Sequence, residues 1–288
     1  MSVKFGPSGN SQKFYEQGYK SSVDMPKWLN KLGLNAYEYQ CNRGVKISKQ
    51  HSIELKNEAD KYGIQLSIHA PYYVNPAAQD DMRQKTIKYI MDTLYAASYM
   101  DAKRVVIHTG ATKGRDRTIS LNNAIGLFKE VLKQAKQNQL YGILMCPETM
   151  GKINQLGTLE EVLEICKLDD TLIPTIDFAH IHARGMGCLN SIDDFKAILD
   201  KIENVLGYER LKYMHVHFSR VEFTVGGEKK HWNMACTNFG PEFEPLAHLI
   251  YERGLEPTII CESRDTMDDD AVLMQNIYNE ISNRRAVK

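Results

Sequence analysis

The 288-residue sequence lacks the features that mark several classes of protein. Lys+Arg and Asp+Glu both number 36, so a formal net charge of zero gives no global attraction to nucleic acid or to an anionic membrane. There is no apolar run near the ~18 residues that span a bilayer. The six cysteines include no Cys-x-x-Cys spacing, which argues against a thiolate zinc site or a redox pair. DNA binding stays open, because a basic rim can surround an acidic pocket.

Scattered cysteines suit a reducing compartment, and the first ten residues lack a charged start followed by an apolar run. We therefore expect no signal peptide, no membrane attachment and a cytoplasmic protein. A barrel of eight strand–helix units typically needs about 250 residues, so residues 1–288 are expected to form a single domain.

Short apolar runs alternate with longer amphipathic segments along the whole chain, as expected of buried parallel strands and the helices that cover them. The eight runs are Val3–Phe5, Ala36–Tyr39, Gln65–Ile68, Arg104–Ile107, Gly142–Cys146, Leu172–Ile176, Leu211–Val216 and Thr258–Cys261. The clearest helical segments are Ser48–Tyr62 before Gly63, Asp80–Met100, the capping-box pattern at Thr158–Glu161, and Asn190–Leu206 before Gly207. This alternation predicts a (β/α)₈ TIM barrel.

The longest connection, Phe218–Pro241, has no clear periodicity and is too long for an ordinary loop, so we expect it to be functional.

Metal-type side chains follow or end six of the eight runs, at the face of a barrel where active sites lie. They are His69, His108, Glu148, Asp177, His215 and Glu262. Three more candidates lie nearby in the sequence, namely His180, Glu228 and His231. Clustered carboxylates are costly to bury without a cation, and imidazole with carboxylate suits zinc, manganese or iron. Nine ligands exceed what one ion can use, so two or three ions are implied.

The motifs that carry these residues resemble those of the endonuclease IV family of apurinic/apyrimidinic-site nucleases, which share a barrel with xylose isomerase-like proteins. The most specific match is His69-Ala-Pro-Tyr-Tyr-Val-Asn75. The shorter matches, in the same order as in the family, are His108-Thr-Gly110, Glu148-Thr-Met-Gly151, Asp177-Phe-Ala-His180, Leu211–His215 and Glu262-Ser263.

The resemblance implies three zinc ions. The implied ligands are His69, His108 and Glu148 for the first ion, Glu148, Asp177, His215 and Glu262 for the second, and His180, Glu228 and His231 for the third. Glu148 and Glu262 are the implied catalytic residues, which hold the metals and orient the attacking hydroxide. Three departures from the family pattern are Thr109 in place of proline, one extra residue between Glu228 and His231, and His217-Phe218 in place of Asn-Asp. His217 therefore competes with His215 as the ligand from the seventh strand.

The implied substrate is double-stranded DNA with an abasic site, cut on the 5′ side by a monomeric enzyme. Arg43, Tyr72 and Asn75 are the candidate substrate-binding residues. Further basic side chains are candidates to contact phosphates, although exposed loop charges are usually only solvated. These are Lys113, Arg115, Arg117, Lys229 and Lys230.

Two other functions stay open. A sugar isomerase or epimerase on the same barrel would bind one divalent ion with Glu148, Asp177, His215 and Glu262, and its two glutamates would transfer protons. It would not need His180, Glu228 and His231 as ligands. A non-catalytic barrel that only binds metal or nucleic acid is the third hypothesis.

Overall fold

Eight parallel strands form a barrel in the computed structural model, which describes residues 2–286. They follow one another around the barrel in chain order, with the last strand between the seventh and the first. The barrel strands are β1 (Lys4–Pro7), β2 (Ala36–Gln40), β3 (Gln65–His69), β4 (Arg104–His108), β5 (Leu144–Glu148), β6 (Thr175–Asp177), β7 (His215–Phe218) and β10 (Thr258–Cys261). Strands β8 (Arg220–Thr224) and β9 (Gly227–Trp232) pair antiparallel as a separate hairpin.

The barrel closes between β1 and β2. The amide of Gly9 donates a hydrogen bond of 2.9 Å to the carbonyl of Glu38 at this junction. A Cβ atom at Gly6 would lie 1.8 Å from the carbonyl oxygen of Ala36. Glycine is therefore required at residue 6 for the two backbones to approach each other.

Helices follow the strands and pack their apolar faces on the barrel. They are α1 (Gln12–Glu16), α2 (Met25–Lys31), α3 (Lys49–Tyr62), α4 (Asp80–Met100), α5 (Arg117–Gln137), α6 (Leu159–Cys166), α7 (Phe178–Arg184), α8 (Ile192–Leu206), α9 (Tyr208–Lys212), α10 (Glu244–Glu252) and α11 (Met267–Ala286), with a 3₁₀ turn at Ser22–Asp24. None of the helices within residues 2–286 has the length and apolar character needed to cross a membrane.

The predicted fold and several predicted helix ends are confirmed. Helix α3 begins after Ser48, whose side chain accepts from the amide of His51, and ends at Gly63 with φ of 68°. Helix α4 has the predicted bounds, and Thr158 opens α6 with a complete capping box. These ends were readable because each depends on side chains within one turn of the helix.

Two predictions about local structure are wrong. The run Leu211–Val216 is not one strand, because α9 extends to Lys212 and β7 begins only at His215. Leu211 and Met214 are fully buried as part of the turn that enters the strand, so their apolar character does not mark strand residues. The connection 218–241 is not an irregular loop either, because most of it forms the β8–β9 hairpin.

Candidate metal centre

Three groups of side chains meet at the carboxyl ends of the barrel strands. The first site consists of His69, His108 and Glu148. The second site consists of Glu148, Asp177, His217 and Glu262. In the third site Glu228 faces His180 and His231, and these two histidines also form a potential ligand group with Asp177. Parallel register aligns the contributing strand ends, with His108 opposite Glu148 and Asp177 opposite His217.

The first site has two histidines that point at one carboxylate oxygen. The Nε2 atoms of His69 and His108 each lie 3.3 Å from Oε2 of Glu148. A tetrahedral zinc ion with bonds of ~2.0–2.1 Å separates its ligand atoms by about 3.3–3.4 Å. The spacing of these three atoms therefore fits a shared metal ion.

The second site takes the other oxygen of Glu148. Nδ1 of His217 lies 3.1 Å from Oε1 of Glu148 and 3.5 Å from Oε1 of Glu262. Oδ2 of Asp177 is buried 3.1 Å from Nδ1 of His180, yet it makes no hydrogen bond among the described residues. A buried carboxylate oxygen without a donor is costly, and a cation at this position would satisfy it. Glu148 can thus bridge the first and second sites.

The third site depends on the hairpin. Oε2 of Glu228 lies 3.4 Å from Nε2 of His180, and its Oε1 lies 3.6 Å from Nε2 of His231. The hairpin reaches this position because the amide of Glu228 donates a 3.1 Å hydrogen bond to the carbonyl of Gly151, after β5. A Cβ atom at Gly151 would lie 2.6 Å from Cβ of Glu228 and 2.9 Å from Cδ2 of His180. Glycine at residue 151 therefore permits the close approach that assembles the site.

Three of the site histidines hydrogen-bond through Nδ1 to the backbone, which leaves Nε2 to face the centre. In each of them Nδ1 is held by a backbone carbonyl, an acceptor that fixes the proton on Nδ1 of a neutral ring. The contacts are His69 to Ala70 (2.7 Å), His108 to Tyr72 (3.1 Å) and His180 to Thr149 (2.8 Å). Each Nε2 then presents a lone pair to a carboxylate oxygen. Two acceptors that face each other need a proton or a metal ion between them.

Without metal, protons take that place in part of the centre. Burial lowers the pKa of His69, but its hydrogen bond with Glu148 and the nearby carboxylate charges outweigh burial and raise this pKa to about 9. Burial likewise lowers the pKa of His231, and its hydrogen bond with Glu228 and the nearby charges raise it to about 9. Burial raises the pKa of Asp177, and the charge of Glu262 adds to this effect. The centre is a concentration of buried negative charge that holds protons when it holds no metal.

The structure brings His217, and not His215, to the second site. His215 is the first residue of β7, and its Nε2 lies 2.9 Å from Oε2 of Glu38 inside the barrel. Residues two apart on a strand share a face, so His217 points to the same interior but lies one step nearer the carboxyl end. The predicted ligand His215 is therefore corrected to its competitor, His217.

Sequence reasoning missed Glu38, a fully buried carboxylate in the middle of β2. Glu38 forms a fourth group with His215 and His217, below the three sites. The available signal was an acidic residue inside an apolar run, where a charge needs a partner.

The three candidate substrate-binding residues differ in exposure. Tyr72 is 55% exposed on the loop after β3, while its carbonyl holds His108. Arg43 is exposed, and its carbonyl accepts a 2.6 Å hydrogen bond from the hydroxyl of Tyr73. Asn75 is buried, and its Oδ1 accepts from the amide of Ala111 at 2.9 Å. Asn75 therefore holds the loop after β4, and its contact with substrate stays a prediction.

Several of the candidate phosphate-binding cations are occupied within the protein. Arg115 donates to the carbonyl of Ala77 at 3.0 Å, and Arg117 forms an ion pair with the two oxygens of Glu161 at 2.5 and 2.7 Å. Lys229 pairs with the carboxylate of Glu222. These three side chains are thus assigned to structural contacts.

Two basic side chains do line a cavity beside the metal centre. The cavity has a volume of about 390 Å³, and its lining includes Lys230, His231, Glu262 and Arg264. Lys230 also lies over the ring of Trp232, 3.5 Å from its centre. Arg264 was not among the sequence candidates, since nothing in its neighbourhood marks it as more than a solvated charge. Arg264 also forms an ion pair of 3.3 Å with Asp265, which lines the same cavity, so side chains of both charges lie beside the centre.

Most of the chain matches a known protein family. Residues 26–277 match the family described as xylose isomerase-like TIM barrel. An uncharacterised protein of Methanocaldococcus jannaschii is 33% identical over 254 residues, which cover 88% of this chain and 90% of that protein.

Two further similar proteins are named for different activities. A probable endonuclease 4 of Mycoplasma pneumoniae is 27% identical over 192 residues, 65% of this chain and 62% of that protein. The crystal structure of a D-tagatose 3-epimerase-like protein superposes with a TM-score of 0.72 at 23% identity, covering 99% of this chain and 100% of that one. The second similarity concerns the fold alone, so the activity must be argued from the residues of the centre.

Proposed function

The chain belongs to the xylose isomerase-like TIM-barrel family, and from this premise we propose that it is a metal-dependent phosphodiesterase that cleaves DNA 5′ to abasic sites. The observation that carries this proposal is the third site. A one-metal isomerase has no need for a hairpin that brings Glu228 within 3.4 Å of His180 and 3.6 Å of His231. A phosphodiester benefits from several cations, because both the phosphate and the leaving oxygen carry negative charge.

The metal ions, for which zinc fits the donor set and manganese is the alternative, would neutralise the phosphodiester and lower the pKa of a water molecule from about 15.7 toward ~7. Glu148 holds two sites at a fixed separation through its two oxygens. Glu262 is 18% exposed by side chain, so it can both bind metal and contact a reacting group that enters from solvent.

The surrounding residues suit a DNA substrate. Lys230 and Arg264 lie beside Glu262, where they can bind phosphates next to the cleaved bond. Tyr72 is exposed and its carbonyl contacts His108 of the first site, so its ring can pack against the gap that an abasic nucleotide leaves in the duplex. An abasic nucleotide leaves the helix at low cost, since it has no base to unstack.

A sugar epimerase is the second candidate, and one observation favours it. The second site alone supplies a complete ligand set for one divalent ion, with Glu148 and Glu262 both at hand for proton transfer. In that case the third site is dispensable for activity.

The experiment compares incision of a duplex that carries one abasic analogue with the metal content of the same preparation. We expect strand cleavage and about three zinc ions per chain, by the ligand count above. His69→Ala should reduce cleavage ~10²-fold or more, since it removes a metal ligand. His248→Ala, a histidine of the outer helix α10, is the matched control and should cleave normally.

No incision by a metal-loaded protein would contradict the nuclease. Turnover of a ketose that survives His231→Ala would establish the epimerase instead. We predict that the active protein is a monomer in the cytoplasm. Gel filtration with light-scattering detection tests the oligomeric state.

A further inference from the structure

Glu38 is a buried carboxylate for which neither the proposed reaction nor the three metal sites account. It lies in the middle of β2 and is fully buried. Within residues 2–286, its ion-pair contacts are to two histidines, and no lysine or arginine neutralises it. A carboxylate in such a position is costly unless each oxygen has donors and the charge serves another group.

Four potential donors surround the two oxygens of Glu38. Oε2 accepts from the hydroxyl of Ser67 at 2.9 Å and lies 2.9 Å from Nε2 of His215. Oε1 accepts from Nε2 of Gln40 at 3.1 Å and lies 3.1 Å from Nε2 of His217. The first three contacts have hydrogen-bond geometry, whereas the contact with His217 is close but not aligned as a hydrogen bond. Four donors match the roughly four lone-pair directions of an ionised carboxylate.

His217 differs from the other site histidines in which nitrogen faces the metal centre. His69, His108 and His180 have Nδ1 on a backbone carbonyl and present Nε2 to the centre. His217 presents Nδ1, 3.1 Å from Glu148, and turns Nε2 toward Glu38. Nε2 of His217 makes no hydrogen bond among the described residues, and the acceptor that it faces is Oε1 of Glu38 at 3.1 Å.

We propose that Glu38 is the positioning residue of the second site, which holds the proton of His217 on Nε2 so that the Nδ1 lone pair binds the metal ion. The proposal rests on the metal binding that the proposed function requires. His215 is the anchor of this arrangement, because it occupies the opposite oxygen of Glu38 and fixes the carboxylate plane. A carboxylate behind a metal-binding imidazole also makes the imidazole a stronger ligand than a carbonyl does.

The test uses Glu38→Gln, which keeps the shape but replaces one acceptor oxygen with an amide donor. Glutamine cannot accept from both histidines, so His217 loses either its orientation or its tautomer. We expect the affinity of the second site for Co²⁺ to fall about 10–100-fold, the range for losing such a partner, with the first and third sites unchanged. Chelator competition measures the affinity, and the cobalt absorption spectrum distinguishes the sites.

The matched control is Glu161→Gln, the same exchange at another buried glutamate, which caps α6 far from Glu38. It should lower thermal stability and leave Co²⁺ affinity at all sites unchanged. If Glu38→Gln fails to fold, Glu38→Asp keeps the charge but shortens the side chain, and the same drop confined to the second site is expected.

A second readout is the tautomer itself. In the ¹⁵N-labelled, zinc-loaded wild type, one ring should bind through Nδ1 and the remaining ligand rings through Nε2. Wild-type protein that binds no metal would remove the proposed function. Metal-binding wild type with Nε2 ligation throughout, or Glu38→Gln that leaves the second site intact or weakens all sites equally, would overturn the role of Glu38 alone.

Discussion

Replacing Glu148 with alanine should release two metal ions, whereas replacing Glu228 should release one. The difference follows from the geometry of Glu148, whose Oε2 faces the histidines of the first site at 3.3 Å and whose Oε1 faces His217 of the second at 3.1 Å. The carboxylate oxygens of Glu228 face the two histidines of the third site and neither of the other two sites.

The magnitude can be estimated from the binding of structural zinc. Four ligands together give about 10–16 kcal/mol, so one ligand contributes about 2.5–4 kcal/mol, or ~10²–10³-fold in affinity. Glu148→Ala should weaken the first and second sites by this factor each. Glu228→Ala should weaken the third site alone. Glu148→Gln keeps one carbonyl oxygen and should retain one of the two ions.

The assay is metal content by mass spectrometry after dialysis against a zinc–chelator buffer set so that wild type remains saturated. Circular dichroism on the same samples confirms that each variant is folded. Equal metal loss from Glu148→Ala and Glu228→Ala would refute the bridging arrangement, as would a Glu148→Ala protein that keeps all its zinc.

Three further predictions concern metal loss when the hairpin is displaced, stability when a buried acceptor is removed, and proton release when zinc binds. Gly151→Ala should release the third-site ion with little loss of the others, because the new Cβ would lie 2.6 Å from Cβ of Glu228. Metal content measures this, and full occupancy of the third site would contradict it. Asp268→Ala should lower the free energy of unfolding, measured in urea, by about 3 kcal/mol. The buried hydroxyl of Ser11 and the indole N–H of Trp28, which donate to Asp268 at 2.7 and 2.9 Å, would lose their acceptor. The exposed neighbour Asp269→Ala should cost at most ~1 kcal/mol, and equal effects would argue against that network. Zinc binding at pH 7 should release about three protons, one from each of three ligand histidines. The pKa values of His69 and His231 are raised to about 9 and the pKa of His217 is raised well above its usual range, because nearby carboxylates outweigh burial, so each ring must lose a proton to bind metal. The release should decline as the pH rises through 9, and calorimetry in buffers of different ionisation enthalpy measures it.

The barrel and most of the centre could be predicted because they depend on short-range patterns. Buried parallel strands are continuous apolar runs, and parallel register places whatever follows each run at one face. His69, His108 and Glu148 were predicted for this reason, and they meet at the first site.

The choice between His215 and His217 could not be made in the same way. Both lie on one face of the strand, and only the point where β7 begins decides which one reaches the mouth. That point is set by α9, whose apolar residues look like the start of a strand. The resemblance follows the order of the motifs, so it named His215 and left His217 as its competitor.

The hairpin and Glu38 were missed because tertiary contacts define them. The β8–β9 hairpin is held by pairing between Gly227 and Lys152 on the loop after β5, a partner 75 positions away in the chain (227 minus 152). Glu38 is explained by His215 and His217, which are brought to it only when the barrel closes. The local sequence shows that Glu38 is an acidic residue in an apolar run, but it does not show which residues are the partners of Glu38 or of the hairpin.

The most direct measurement is anomalous scattering at the zinc edge from crystals of the zinc-loaded protein. The account predicts three maxima, one at each site, with Glu148 between the first two. An empty mouth, or a single maximum between Glu38 and His215, would contradict it.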